Sequence, residues 1–527
     1  MKKIAFLLSA VAVLLPACKK SPSAWTDRDV PGKPLETWSF SLDGRQWEKV
    51  SVPHSYNAID GRSPSYYRGT AYYKTTLPSY AADAPRYLLF EGVGQAAVVL
   101  VDGDTLKTHS GAYTPFWVNV SGRGGSEVTV ICDNREDWAR IPLTSDFNKN
   151  GGIHYPVWLL ECPPVHFGVE SFGLYRLHVA TPSVSKAAAK GRATTLLRNA
   201  SGQARHVDVE WKLEDAEGKE VLSCQVPVDL AAGEAQELEW NFLLQKPHLW
   251  DGMADPYLYQ VSVRAGEDVA RTQIGFRWYS LDRDKGFFLN GKPYPLRGVC
   301  MHQDKEGIAS AFRKADIDAD YELVRELGCN FLRLAHYPHN EDMVKLADKM
   351  GLLVWSEIPL YWGIDWKNEK TYNLAVNQLT EMIDRDRNRA SVIFWSIANE
   401  TAVNKERTAF LTKLANEARR QDPTRLICAA LQNMNKQLAH NVYTVEDPLH
   451  EALDVFSFNE YIGWYDGPKE LCDNITWSLP EDKPVIISEF GGGAKIGRTG
   501  AVNHFFTEDY MTELYSHQFV MLSKIKG

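Results

Sequence analysis

Across residues 294–490 seven short apolar runs alternate with amphipathic stretches of helical period, and that alternation leaves few folds open. The runs are 294–300, 329–335, 352–357, 392–398, 425–430, 455–459 and 484–490. Helical patterns occupy 316–327, 340–349, 372–386 and 404–421, with a last one near 505–524. Continuous apolar runs of this length suit strands buried on both faces, and strand–helix alternation makes them parallel neighbours. Repeated seven times with polar residues after the strands, the pattern predicts a (β/α)8 TIM-type barrel over 279–527. A closed barrel needs eight strands, whereas the pattern supplies seven before Gly527. The expectation is therefore a barrel truncated before strand 8, or one closed by another segment; otherwise its first and last strands keep unpaired edges.

Upstream the period changes. Between 36 and 180 short β-type runs at 71–77, 86–92, 96–101, 127–133 and 169–179 are separated by turn signals, which predicts an all-β sandwich. Residues 181–278 carry alternating runs at 193–197, 207–213, 237–242 and 257–264, the size and pattern of an immunoglobulin-like sandwich. Residues 18–35 are polar and proline-rich, as a linker would be. Residues 1–17 read as a signal peptide: Lys2 and Lys3, an apolar stretch over 4–15, then Leu15-Pro16-Ala17 ahead of Cys18. That ending resembles a bacterial lipoprotein cleavage box, which makes Cys18 the lipidated N-terminus. The resulting expectation is a chain anchored to a membrane of the cell envelope, on the periplasmic or outer-membrane face. No later run approaches the roughly 18 apolar residues needed to span a bilayer.

Composition excludes several functions. Acids outnumber bases, 67 to 58, and no basic run forms the footprint of a nucleic-acid binder, so nucleic acid is not an expected partner. The cysteines show no C-x-x-C or C-x-x-H spacing, so neither a disulfide framework nor a zinc site is indicated. His336 and His339 are separated by Tyr337-Pro338, which argues against a helical metal pair. Gly491-Gly492-Gly493-Ala494-Lys495 lacks the spacing of a phosphate loop, and the serine-hydrolase G-x-S-x-G does not occur. No cofactor or metal is implied, and a homo-oligomer remains possible.

The strand ends carry the chemistry, because this fold builds its sites there. The first run delivers His302 and Asp304, the second Arg333, His336 and Tyr337, the third Glu357. The fourth ends in Asn399-Glu400, the sixth in Asn459-Glu460-Tyr461, the seventh in Ser488-Glu489-Phe490-Gly491. Glu400 and Glu489 both terminate apolar strands, where a carboxylate is costly to desolvate unless partners or function compensate it. A pair of such carboxyls is what glycoside hydrolysis requires, one to protonate the leaving oxygen and one to attack or to activate water.

The motifs Asn399-Glu400, Ser488-Glu489-Phe490-Gly491 and Arg333-Leu334-Ala335-His336-Tyr337-Pro338 resemble those of glycoside hydrolase family 2. So does the domain order, a jelly-roll-like sugar-binding sandwich, an immunoglobulin-like sandwich and a barrel. The resemblance implies a retaining β-glycosidase with Glu489 as nucleophile and Glu400 as acid/base, acting on a carbohydrate or glycoconjugate. The β-glucuronidase branch is the nearer likeness. Asp146-Phe147-Asn148 resembles the loop by which its first sandwich reaches the site, and His302 its histidine after strand one. Asn459-Glu460-Tyr461-Ile462-Gly463-Trp464-Tyr465 resembles its sugar-subsite run. By this resemblance Asp146, His302, Arg333, His336, Asn399, Asn459, Tyr461, Trp464 and Tyr465 bind substrate. The branch's Asn-x-Lys pair for the sugar carboxylate would fall past Gly527. The alternatives are a β-galactosidase of the same family and an inactive carbohydrate-binding lipoprotein with an incomplete barrel.

Overall fold

The computed structural model describes residues 32–61, 63, 65–80, 84–169, 176–432, 434–437, 441–480 and 482–526. The expected signal peptide, the lipidation site Cys18 and most of the linker lie outside them. Three architectures follow one another along the chain.

The first is a sandwich of a four-stranded and a six-stranded antiparallel sheet. Glu127–Asp133 and Ala96–Val101 bury every second side chain, as one-sided strands must, and Trp38, Phe40, Tyr73, Phe90 and Phe116 fill the space between the sheets. Lys33–Pro34 pairs with Val157–Glu161, so the sandwich begins inside the segment expected to be linker. The second sandwich has two four-stranded sheets around Trp211, Trp240, Phe242 and Phe276. Its first strand is Val165–Phe167, paired with Ala188–Asn199, and the boundary expected at 180 falls inside its strand His178–Val184. Strand pairing, which periodicity does not report, assigns these residues to the second sheet.

The barrel strands are β1 (Gly298–Met301), β2 (Phe331–Leu334), β3 (Leu353–Glu357), β4 (Val392–Asn399), β5 (Leu426–Ala430), β6 (Phe456–Asn459) and β7 (Val485–Glu489). β1 to β5 pair in sequence order and in parallel, β6 pairs with β7, and a bridge between Leu431 and Phe458 joins the two groups. Helices α1 (Lys314–Glu326), α2 (Glu341–Met350), α3 (Glu369–Asp386) and α4 (Lys405–Gln421) follow the first four strands, and α5 (Glu508–Leu522) follows β7. Side-chain oxygens of Asn340, Asn368 and Asn404 accept from the first free amides of α2, α3 and α4, which fixes where these helices start.

Among the described residues the barrel has seven strands, and no ladder joins β7 to β1. β2, β3 and β4 are buried throughout, while β1 and β7 are partly open, as the two strands flanking that interval. A three-stranded sheet over 279–293 closes the bottom, packing Phe287 and Leu289 with Trp250 against Phe331, Leu353 and Phe394. The barrel interior is thus solid below, and only the top, where the strands end, is left for a site.

Candidate active site

Arg333 is the centre of the site. It leaves β2 pointing into the barrel, is 2% exposed, and a guanidinium in such a place requires anions around it. Its Nη2 donates to Glu357 Oε1 at 3.0 Å and to Asn399 Oδ1 at 2.7 Å, its Nε to Glu357 Oε2 at 3.1 Å, and its Nη1 to Glu489 Oε1. One cation therefore ties together the ends of β2, β3, β4 and β7. Burial by itself would push the Glu357 carboxyl up, but Arg333, His336 and the Trp355 N–H bring it down to about 2. His336 Nδ1 lies 2.7 Å from Glu357 Oε1. Because a carboxylate only accepts, Nδ1 carries the proton, and Nε2 faces Glu489 Oε1 at 3.7 Å.

The two glutamates at the ends of β4 and β7 have different partners. Glu489 receives Arg333 on one oxygen and the Tyr461 hydroxyl on the other. Glu400, half-buried, receives only neutral donors among the described residues: Asn459 Nδ2 on Oε1 at 2.8 Å and Trp362 Nε1 on Oε2 at 2.9 Å. Burial raises the Glu400 pKa; those two hydrogen bonds oppose the rise, and the charge of Glu489 adds to it. A carboxylate beside a cation and a carboxyl inclined to stay protonated thus face the same space. That is the division of labour acid-assisted nucleophilic displacement needs.

The remaining expected residues fall into two groups. Asn399 and Asn459 are buried between the glutamates; Asn459 Oδ1 accepts from Ser488 Oγ at 2.7 Å, and its Nδ2 also reaches Asn399 Oδ1 at 3.3 Å. Asn399 Nδ2 is buried and has no acceptor among the described residues. Asp146, reaching over from the first sandwich, accepts from Tyr361 O–H at 2.8 Å, and Phe147 packs on His336, Tyr361 and His302. His302 contacts the Tyr337 hydroxyl at 3.3 Å and its ring lies 5.1 Å from His336. Tyr465 is mostly exposed, its ring 5.3 Å from Tyr461. Trp464 is turned toward the loop that follows β7, packing on Phe505, Phe506 and Tyr510. Two contributors went unnoticed in the sequence, Tyr361 and Trp362. Their signal is position: an aromatic pair just after β3, on the rim where the other strand ends converge.

A parallel barrel with two differently partnered carboxyls at the ends of strands four and seven defines a class, and the comparisons name it. The family described as glycosyl hydrolases family 2, TIM barrel domain, matches residues 282–522, and the glycosyl hydrolases family 2 description matches 176–277. The chain belongs to glycosyl hydrolase family 2. It is similar to a β-glucuronidase of Bacteroides fragilis, 32% identical over 496 residues, covering 87% of this chain and 68% of that protein. It is also similar to a β-galactosidase of Bacteroides ovatus, 31% identical over 400 residues, covering 69% of this chain and 46% of that protein. The structure of Bacteroides uniformis β-glucuronidase 2, covalently bound to cyclophellitol-6-carboxylate aziridine, superposes with a TM-score of 0.84 at 25% identity. That match covers 94% of this chain and 64% of the other. The chain spans little more than half, 56%, of a further relative from Formosa agariphila.

Proposed function

We propose that this protein is a retaining β-glycosidase that removes β-linked terminal sugars, with β-D-glucuronides as its substrates. The observation that carries the mechanism is the contrast between the glutamates, Glu489 against Arg333 and Tyr461, Glu400 among neutral donors. Glu489 attacks C1 of the sugar while Glu400 gives its proton to the leaving oxygen, so the C1–O bond breaks as the C1–Oε bond forms. Glu400, now ionised, takes a proton from water, and the hydroxide equivalent displaces Glu489 to release the sugar. Arg333 and Tyr461 keep the nucleophile aimed. Asn399 Nδ2, the buried donor without an acceptor among the described residues, is free for the sugar 2-hydroxyl.

The glucuronide preference is supported by the relatives, since the Bacteroides fragilis β-glucuronidase matches over most of this chain and a different solved neighbour, Bacteroides uniformis β-glucuronidase 2, is covalently bound to cyclophellitol-6-carboxylate aziridine. The β-galactosidase relative favours a second reading, galactoside hydrolysis by the same residues. Rates on p-nitrophenyl β-D-glucuronide and β-D-galactoside separate the two. A 2-deoxy-2-fluoro glycoside should leave a covalent adduct on Glu489 detectable by peptide mass spectrometry; an adduct elsewhere refutes the nucleophile. Sugar binding with no turnover would favour the inactive carbohydrate-binding reading. We further propose anchoring in the cell envelope through a lipid on Cys18, which radiolabelled palmitate incorporation, lost in Cys18→Ala, would test.

A further inference from the structure

Beyond Glu357 the chain does not leave the barrel mouth but runs along the end of β4. Asn399 N donates to Leu360 O at 2.8 Å, and Trp362 N donates to Asn399 O at 3.2 Å. From the other side the first sandwich holds the same loop: Gly363 N donates to Thr144 Oγ1 at 2.8 Å, and Tyr361 O–H to Asp146. Trp362 and Glu400 both have positive φ, 50° and 49°, a backbone region that bulky L residues rarely occupy. Such conformations persist where surrounding contacts over-determine them. Their result here is that the indole N–H meets Glu400 Oε2 at 2.9 Å while the residue stays 38% exposed, on the rim of the cleft.

We infer that Trp362 is a positioning residue for Glu400 and also the surface on which the leaving group rests, favouring flat aryl aglycones. The inference depends on the glycosidase reading above. Its geometry is direct. Glu400 transfers its proton only to an oxygen within hydrogen-bond reach, about 2.6–3.2 Å. The indole already touches that same carboxyl, so whatever substituent the leaving oxygen carries meets the exposed ring. Asn459 on Oε1 and Trp362 on Oε2 give each oxygen one donor, which locks the plane of the carboxyl without neutralising it. A protonated carboxyl oxygen still accepts one hydrogen bond, so the contact survives in both protonation states.

The test uses the full chain, labelled with 5-fluorotryptophan, and the variants Trp362→Phe, Trp362→Ala and Glu400→Gln. One fluorine resonance, missing in Trp362→Phe, should titrate with pH and stop titrating in Glu400→Gln. A Trp362 signal indifferent to pH overturns the contact. A titrating signal in a chain that turns over no glycoside upholds the contact and rejects the glycosidase reading instead. In kinetics, Trp362→Phe keeps a ring but loses the donor. It should lower kcat/KM about tenfold on alkyl glycosides, spare activated aryl ones, and move the basic limb of the pH profile upward. Trp362→Ala should in addition raise KM for aryl glycosides about tenfold. Equal losses on every leaving group with an unmoved basic limb would make Trp362 merely structural.

Discussion

Asn399 Nδ2 and the Glu460 carboxyl are both buried polar groups without a full set of partners, and they have opposite consequences. The first faces the cleft between the glutamates. Replacing Asn399 with Ala should lower kcat/KM about 10- to 100-fold on an ordinary glycoside, the loss of one hydrogen bond that strengthens in the transition state. On the 2-deoxy substrate the same change should cost little; an equal loss on both would remove the 2-hydroxyl role. Glu460 is fully buried, with Oε2 accepting from Ile462 N at 3.0 Å. Burial raises its pKa to about 7. The folded protein then holds a proton that the unfolded chain has already released above its ordinary value near 4.5. Stability is therefore lost as pH rises from about 4.5 to about 7, and is flat beyond. Glu460→Gln should raise the melting temperature at pH 8 and leave it nearly unchanged at pH 4; no difference between the two would refute this. Glu357 is the reverse case. Its pKa is lowered to about 2, so its contribution is present above the ordinary carboxylate range and lost as pH falls toward 2. Glu357→Gln leaves Arg333 short of its main counter-charge and should destabilise the barrel by about 3–5 kcal/mol in denaturant titrations.

The elements matter through their ends. β4 is an eight-residue strand buried throughout, yet its pairing with β5 shifts register between Ser396 and Asn399. β6 and β7 shift in the same way at Asn459 and Glu489. Such irregularities re-aim side chains at a strand end. They occur at the two strands that supply the glutamates, and no periodicity in the sequence reports them. The strands themselves were legible, because burial on both faces requires runs made mostly of apolar residues, with only small buried serines such as Ser396 and Ser457 and the site residue Arg333 within them. Apart from β6, the stretch from 434 to 478 was not. It forms a side sheet of Met434–Gln437, Val442–Val445 and Thr476–Ser478, with 3-10 turns at Pro448–Ala452 and Lys469–Asn474 where other repeats have helices. Segments of three to six residues are too short to show a period. Gly351, which ends α2 with φ 75°, illustrates an element constrained from outside: a Cβ there would lie 2.2 Å from Gly252 O, in the second sandwich's connection between Ala235–Gln245 and Tyr259–Ala265. Gly351→Ala should cost about 1–2 kcal/mol for the left-handed conformation alone, and more for the contact, measured as a lowered melting temperature.

At the scale of the molecule the sandwiches are part of the site's support. Asn148 Nδ2 donates to Asp304 at 3.2 Å and Asn150 Nδ2 to Ser310 Oγ at 3.0 Å, pinning the Asp146 loop onto the barrel rim. The second sandwich is held by Asn388, whose Oδ1 accepts from Val179 N at 2.8 Å and whose Nδ2 donates to Leu177 O at 2.9 Å. Asn388→Ala would leave that amide and carbonyl buried without their partner, at about 1–3 kcal/mol each. Calorimetry should then show the sandwich and barrel melting apart; one undivided transition at the original temperature would show that the contact is not what couples them. The sequence alone determined the order of architectures and placed Glu400 and Glu489 at the ends of apolar runs, because strand burial and helix amphipathicity are written in local period and because a carboxylate ending a buried run is directed to the barrel mouth. What only the tertiary structure decided is which groups partner those glutamates. Trp362, Asn459, Tyr461 and Arg333 come from three different strands, β3, β6 and β2, and their distances to Glu400 and Glu489 are set by barrel closure and strand register, quantities that depend on residues tens of positions apart.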